Sequence, residues 1–434
     1  MKIPHLRWIL AGMLFLATAV NYLDRGALAV VSRNIRTEFG LNEQDYSYSL
    51  VAFFLAYAIM YAGSGYIVDR LGTKKGFAFF IGFWSIAAML HAAVRGTWSL
   101  AGARFLLGLG EPGNWPAATK AVNEWFPARQ RALGVGIFNA GSSVGAMLSG
   151  IVIAWLTIHY GWRFAFLCTG AVGLLWLAVW LILYNPPHMN RWLSEREYAG
   201  FRDEIAPPQE TKPAGERVRW QHVIAQRGCW TLILARFFTD PVIYFVIFWL
   251  PEYLQKERGF NLAAVGKYSW VPYAFGGVGY ILGGWLSGLL IRRGWAIPRA
   301  RKTLMLVGAG FMPIAIFAPY FPEAWMAIGA TCSITFGHAL WTSNLQTIPT
   351  DLFRGTEVGT AAGFSGMGGA IGGMLANLGT GYVVRHFSYS PVFLMAGLMH
   401  PLSIALVYWL LPDSRFPSES ELAREMLRLR TGGA

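Results

Sequence analysis

Charged side chains are scarce in this chain: Asp, Glu, Lys and Arg make up 14% of its 434 residues, against 55% hydrophobic residues and a mean hydropathy of +0.40. That balance excludes a large soluble protein, because apolar runs repeatedly reach the roughly 20 residues needed to cross a bilayer. Cysteine is rarer still. Cys168, Cys229 and Cys332 lie in or beside apolar runs with no CxxC spacing, which argues for buried free thiols and against a disulfide framework or a metal site. No Walker A loop is present, and Gly366-Met367-Gly368-Gly369 follows no strand, so neither nucleotide binding nor ATP-driven work is expected. No Ser-His-Asp arrangement survives the topology, so no enzyme and no cofactor are expected.

The net charge of +13 does not point to nucleic acid, because the basic residues sit in short loops between apolar runs. Twelve spans are expected at about 8–31, 47–68, 76–95, 98–120, 131–156, 163–184, 229–254, 264–291, 302–320, 323–348, 356–384 and 390–411. The N-terminal run carries Lys2 and Arg7 but no cleavage site, so it is read as a retained first helix. One long polar stretch, 185–228, divides the chain into six plus six, which predicts bundles at 1–184 and 229–411, a central loop and a tail from 412. Ser194 with Glu197 predicts a short capped helix in that loop. Of the 36 Lys and Arg, 24 fall at the termini and even-to-odd loops, eight in the opposite loops and four inside spans: Arg25, Arg104, Lys120 and Arg236. That asymmetry predicts cytoplasmic termini. Lys120 is expected to snorkel to the headgroups.

An internal repeat supports the halving. A shift of 227 residues superposes Gly110, Glu124, Phe126, Gly136, Gly141 and Gly145 on Gly337, Asp351, Phe353, Gly363, Gly368 and Gly372, and Glu111 on His338. A shift of 216 carries Asp24 onto Asp240.

The segment from Gly65 to Lys75, with Asp69, Arg70, Gly72 and Lys74, resembles the signature loop of the major facilitator superfamily, and Gly284 to Gly288 with Arg292-Arg293-Gly294 is a weaker echo of it. Within that superfamily, Asn21-Tyr22-Leu23-Asp24-Arg25, the Arg104 to Glu111 spacing with Pro116, Glu124-Trp125-Phe126-Pro127 and the run from Gly136 to Ser143 are similar to the anion:cation symporter family and its bacterial hexuronate transporters. The resemblance implies an all-α membrane protein of twelve helices in two pseudo-symmetric six-helix bundles. It implies a monomer in a bacterial inner membrane that imports a sugar acid, most simply a hexuronate, with protons. Symport of an aromatic or dicarboxylic acid, drug export and substrate sensing without transport remain as alternatives. Asp69 would close a cytoplasmic gate by pairing with basic residues and a helix N-terminus across the halves.

Proton-coupled anion import needs a cation for the carboxylate, an acid for the proton and polar groups for hydroxyls. Arg25 and Arg104 are the cations, since a guanidinium offers a bidentate fork and stays charged when desolvated; Arg104 could instead hold Glu111. Seven residues separate Arg104 from Glu111, about 10 Å along one helix face; charges at that depth face a partner or an aqueous cavity. Asp24 and Glu111 are the acids, roles that the family uses at these positions. Each can be held by an arginine until substrate replaces it. Trp341, Thr342, Asn344 and Gln346 offer a stacking face and hydrogen bonds to a sugar, with Tyr22, Tyr57, Asn139, Ser142 and Ser143 in the first half. Tyr48 could help as well, but Tyr48 and Tyr57 have weaker support, because aromatic side chains in membrane spans mostly pack or anchor at interfaces. His338 is either a second proton site or, as the favoured reading, a neutral hydrogen-bonding partner, and Asp240 is expected to pair with Arg236 one turn away.

Overall fold

The computed structural model describes residues 2–205, 220–260, 268, 270–353 and 355–416. The helices of the first half are α1 (Leu6–Phe39), α2 (Glu43–Leu71), α3 (Thr73–Leu90), α4 (Thr97–Gly110), α5 (Asn114–Trp125), α6 (Ala128–Tyr160) and α7 (Trp162–Leu183). Two short helices, α8 (Glu195–Ala199) and α9 (Trp220–Ala225), flank the undescribed part of the central loop. The second half comprises α10 (Arg227–Phe248), α11 (Leu250–Lys256), α12 (Val271–Arg292), α13 (Ile297–Gly310), α14 (Ile314–Phe317), α15 (Ala324–Leu345), α16 (Ile348–Leu352), α17 (Val358–His386) and α18 (Ser390–Leu410). Each expected span has a helical counterpart, although the expected start of the eighth, at 264, and most of the tail lie outside the described residues.

Turn chemistry places the helix ends. Gly40 ends α1 at φ 64°, and Asn42 with Asp45 forms a capping box that starts α2. Ser194 accepts from the Glu197 amide to cap α8, as its spacing predicts. By length and composition alone, nine helices among the described residues could cross a membrane. The three expected spans outside that set are α15, α17 and the fourth, which Glu111-Pro112-Gly113 breaks into α4 and α5. Proline there has no amide to donate, so the break leaves backbone groups to be satisfied from elsewhere.

The repeat is visible in packing. A Cβ at Gly141 or Gly145 of α6 would strike the carbonyls of Phe15 or Ala19 on α1, and one at Gly368 or Gly372 of α17 would strike those of Ile233 or Phe237 on α10. Small residues allow backbones this close. Ile233 follows Phe15 by 218 residues, and Phe237 follows Ala19 by the same interval. The first helices of the halves are therefore related by 218 rather than 216, and Asp240 occupies the register of Tyr22, not of Asp24. Tyr22 and Asp240 both face the interior cavity, and Asp24 does not.

The halves meet along two seams, α2 against α17 and α6 against α12. A Cβ on Gly65 would lie 2.0 Å from the Gly359 carbonyl oxygen, and one on Gly284 would lie 2.1 Å from that of Ala132. Both contacts lie toward the end that carries most of the loop lysines and arginines, called the basic end here. At that end the halves are in backbone contact.

Candidate functional site

Between the halves lies a cavity lined by side chains of both. Its first-half wall begins with Arg25, whose Nη2 lies 2.8 Å from Glu111 Oε2 while Nε donates to the same oxygen at 2.9 Å. The guanidinium is held in an aromatic box, with its carbon 4.9 Å from the Tyr22 ring centroid, 4.7 Å from Tyr57 and 5.6 Å from Phe53. Glu111 lies at the break between α4 and α5, and Asn21 Nδ2 donates to its carbonyl at 3.3 Å. Asn114 Nδ2 donates to Thr18 Oγ1 at 3.0 Å. Side chains of α1 thus hold the broken helix, and the break aims the Glu111 carboxylate at Arg25.

Glu111 itself is fully buried behind Arg25 and does not line the cavity, whereas the arginine side chain keeps 19% of its surface exposed. The alternative partnership of Arg104 with Glu111, across two turns, is not formed: Glu111 pairs with Arg25. Arg104 is buried away from the cavity with its carbon 5.8 Å from the Phe53 ring centroid. Asp24 is buried beyond the cavity wall as well, and neither of its carboxylate oxygens has a hydrogen-bond partner among the described residues. A second guanidinium, Arg236, lines the opposite wall. It binds Asp240 Oδ2 through Nε at 2.9 Å and Nη2 at 2.6 Å, and Nη1 donates to the Tyr61 hydroxyl at 3.4 Å.

Other expected site residues divide. Tyr22, Tyr57, Asn139, Ser142, Ser143, Thr342, Gln346, His338 and Asp240 reach the cavity. Trp341 and Asn344 do not. Trp341 has no exposed surface and meets His400 edge-on at 5.4 Å, while Asn344 donates to the carbonyls of Gly283 and Leu340. At about 100° per residue on a helix, residues 341 and 344 share one face and 342 and 346 share another, about 150° away, so one run of polar letters serves two surroundings. His338 shares a 3.1 Å hydrogen bond with His400 and another with Thr342. Asn139 Nδ2 donates to Gln346 Oε1 at 2.9 Å, a bond that joins the halves at the cavity floor. Tyr61, Trp115, Tyr244, Tyr273 and Tyr280 also line the cavity, and sequence reasoning missed them. The spacing of Tyr57 from Tyr61 and of Tyr273 from Tyr280 places each pair on one helix face, which is the signal that could have found them.

Below the floor the basic end is closed by charge. Asp69 accepts from Lys120 Nζ at 2.7 Å, from the Gly359 amide at 3.1 Å, from the Thr360 amide at 2.6 Å and from the Thr360 hydroxyl at 2.7 Å. Lys120 is thus a buried partner of Asp69 and does not snorkel, because α5 runs inside the bundle rather than along lipid. On the other seam Asp351 pairs with Arg301 at 3.1 Å and with Arg131 at 3.7 Å, and Arg301 donates to the Ala128 carbonyl at 2.8 Å. Counting loop cations places Arg131 and Arg301 in solvent, but both are buried in this cross-half network. Arg70 is exposed, Gly72 turns the chain at φ 79°, and Lys74 donates to Asn185 at 3.0 Å.

A model of the Major Facilitator Superfamily matches residues 14–298 and 294–431. The chain belongs to that superfamily. It is a transporter and not an enzyme. It is 33% identical to a hexuronate transporter of Escherichia coli K12 over 94% of both chains, and 35% identical to a galacturonate transporter of Dickeya chrysanthemi over 76% of this chain and 97% of that one. A D-galactonate transporter of Escherichia coli is 27% identical. Among solved structures, the proton:xylose symporter XylE superposes with a TM-score of 0.70 at 16% identity, covering 94% of this chain and 96% of that one. FucP in its outward conformation superposes with 0.71 at 14% identity, covering 95% and 100%. Those two likenesses establish the twelve-helix fold.

Proposed function

We propose that this protein imports a hexuronate together with protons across a bacterial inner membrane, by alternating access, with both termini and the basic end in the cytoplasm. The observation that carries this proposal is the Arg25 guanidinium, which faces the cavity while its counter-acid lies behind it. With the basic end closed, substrate enters the cavity from the opposite side. A sugar-acid carboxylate docks on the Arg25 fork as a charge-assisted bidentate pair. Glu111 loses its cation at that moment, and a buried carboxylate without a partner takes up a proton. Substrate loading and protonation are thereby the same exchange, with Asp24 as the second acid. Thr342, Gln346, Ser142, Ser143 and Asn139 serve the hydroxyls.

Once loaded, the halves 1–184 and 229–411 rock about the cavity as a monomer needing no cofactor. Gly65, Asp69, Arg70, Gly72 and Lys74 form the inner gate, which opens when the contacts of Asp69 with α17 break. The support for hexuronate among sugar acids comes from the E. coli and Dickeya relatives. The test is uptake of labelled glucuronate into proteoliposomes under an inward proton gradient. Accumulation that Arg25→Lys reduces at least tenfold supports the proposal, because lysine keeps the charge but not the fork. Absence of glucuronate and galacturonate uptake by folded wild type refutes it.

A further inference from the structure

The two arginines of the cavity are both paired, but their acids stand in different places. Glu111 has no exposed surface and approaches Arg25 from behind, so a ligand carboxylate reaches that guanidinium from the cavity side without meeting another carboxylate. Asp240, in contrast, lines the cavity together with Arg236. Its Oδ2 takes both contacts from Arg236. Its Oδ1 accepts no hydrogen bond among the described residues and is not sealed from the cavity. Pro241 follows it within α10, so the backbone offers no amide at that position to compete for the carboxylate.

From this asymmetry we infer that Asp240 is a specificity-determining residue: its free Oδ1 accepts a substrate hydroxyl and its charge repels a second carboxylate. The inference rests on the sugar-acid reading above and narrows it. The site has one anion-accepting pole at Arg25 and one hydroxyl-accepting pole at Asp240. It selects monoanionic polyhydroxy acids, the uronates and aldonates, over the dianionic aldarates of the same carbon skeleton. Arg236 does not act as a second anion receptor, because an incoming carboxylate meets Asp240 beside it. The role of Arg236 is to hold Asp240 in place, since both of its contacts go to one oxygen and leave the other for ligand.

The chemistry has a size. A hydrogen bond to a charged acceptor contributes enough that losing it weakens binding roughly tenfold to a hundredfold. Like charges brought together across a binding site oppose the wrong ligand by a comparable factor. A neutral amide at 240 removes both effects at once, so the two ligand classes respond in opposite directions.

The experiment is competition of labelled glucuronate, bound to the full-length protein in nanodiscs, by unlabelled gluconate and by glucarate, which differ by the second carboxylate. Galactonate and galactarate form a second matched pair. Wild type is expected to prefer the monoanion of each pair at least tenfold. Asp240→Asn is expected to weaken the monoanion about tenfold and leave or improve the dianion, collapsing the ratio, while Asp240→Glu retains the preference. A purely structural role for Asp240 would weaken both ligands together and leave the ratio unchanged, which would overturn the inference. Wild type that binds dianion and monoanion alike overturns it without any variant. Those outcomes are separate from the failure of proton-driven uptake, which would refute the transport proposal instead.

Discussion

Asp69→Asn is the most direct test of how the basic end stays shut. Three of the four donors to Asp69 matter here, the Gly359 amide, the Thr360 amide and the Thr360 hydroxyl, because they come from the other half and exist only when the seam is closed. Lys120 belongs to the same half as Asp69 and stays with it in either state. An asparagine keeps one acceptor but turns an amide NH₂ toward the Thr360 donors. Losing two charge-assisted bonds at about 1.5 kcal/mol each, the low end of the usual range, removes about 3 kcal/mol from the closed state. That is a shift of about a hundredfold toward opening. Ser365 is the reporter, since it is buried in a small chamber between the cavity floor and the seam, beside Trp115 and Thr119. Ser365→Cys in a background lacking Cys168, Cys229 and Cys332 is expected to resist an impermeant thiol reagent in inside-out vesicles. Asp69→Asn is expected to raise its labelling rate by one to two orders of magnitude. Lys120→Met, which leaves the cross-half bonds in place, should raise it far less. A rate within about threefold of the parent for Asp69→Asn would show that the glycine packing alone closes the seam.

Three further outcomes follow from the geometry. Glu111→Gln keeps the shape behind Arg25 but cannot carry a proton, so counterflow of glucuronate should persist while gradient-driven accumulation is lost; accumulation at wild-type level would remove Glu111 from coupling. Gly284→Ala places a Cβ about 2 Å from the Ala132 carbonyl, so uptake should fall at least tenfold while the Ser365→Cys reporter becomes reactive, and uptake above half of wild type would mean that α6 and α12 separate without penalty. Trp341→Phe should lower the melting temperature by several degrees, from roughly 1–3 kcal/mol of lost packing, yet leave glucuronate affinity within twofold; a tenfold weaker affinity would return Trp341 to the binding site.

The number of spans, the halving and the superfamily were legible in the chain because bilayer thickness and loop charge act on local composition. The Arg236–Asp240 pair was legible too, since an i,i+4 spacing on one helix is set by helical geometry alone. The partner of Glu111 was not. Arg104 has the right spacing on an unbroken helix, but Glu111-Pro112-Gly113 interrupts it and Asn21 anchors the break, so the carboxylate turns to Arg25 on another helix. Lys120, Arg131 and Arg301 looked like interfacial or loop cations, because hydropathy shows the depth of a residue and not which neighbour it meets.

The sequence by itself determined what crosses the membrane, which loops carry the positive charge and which two carboxylates and arginines are too costly to leave in lipid. Only the tertiary structure decided which acid stands behind its arginine and which stands beside it at the cavity. That distinction depends on how two helices from different parts of the chain pack, which glycine contacts at 141, 145, 368 and 372 set to a register no local pattern encodes.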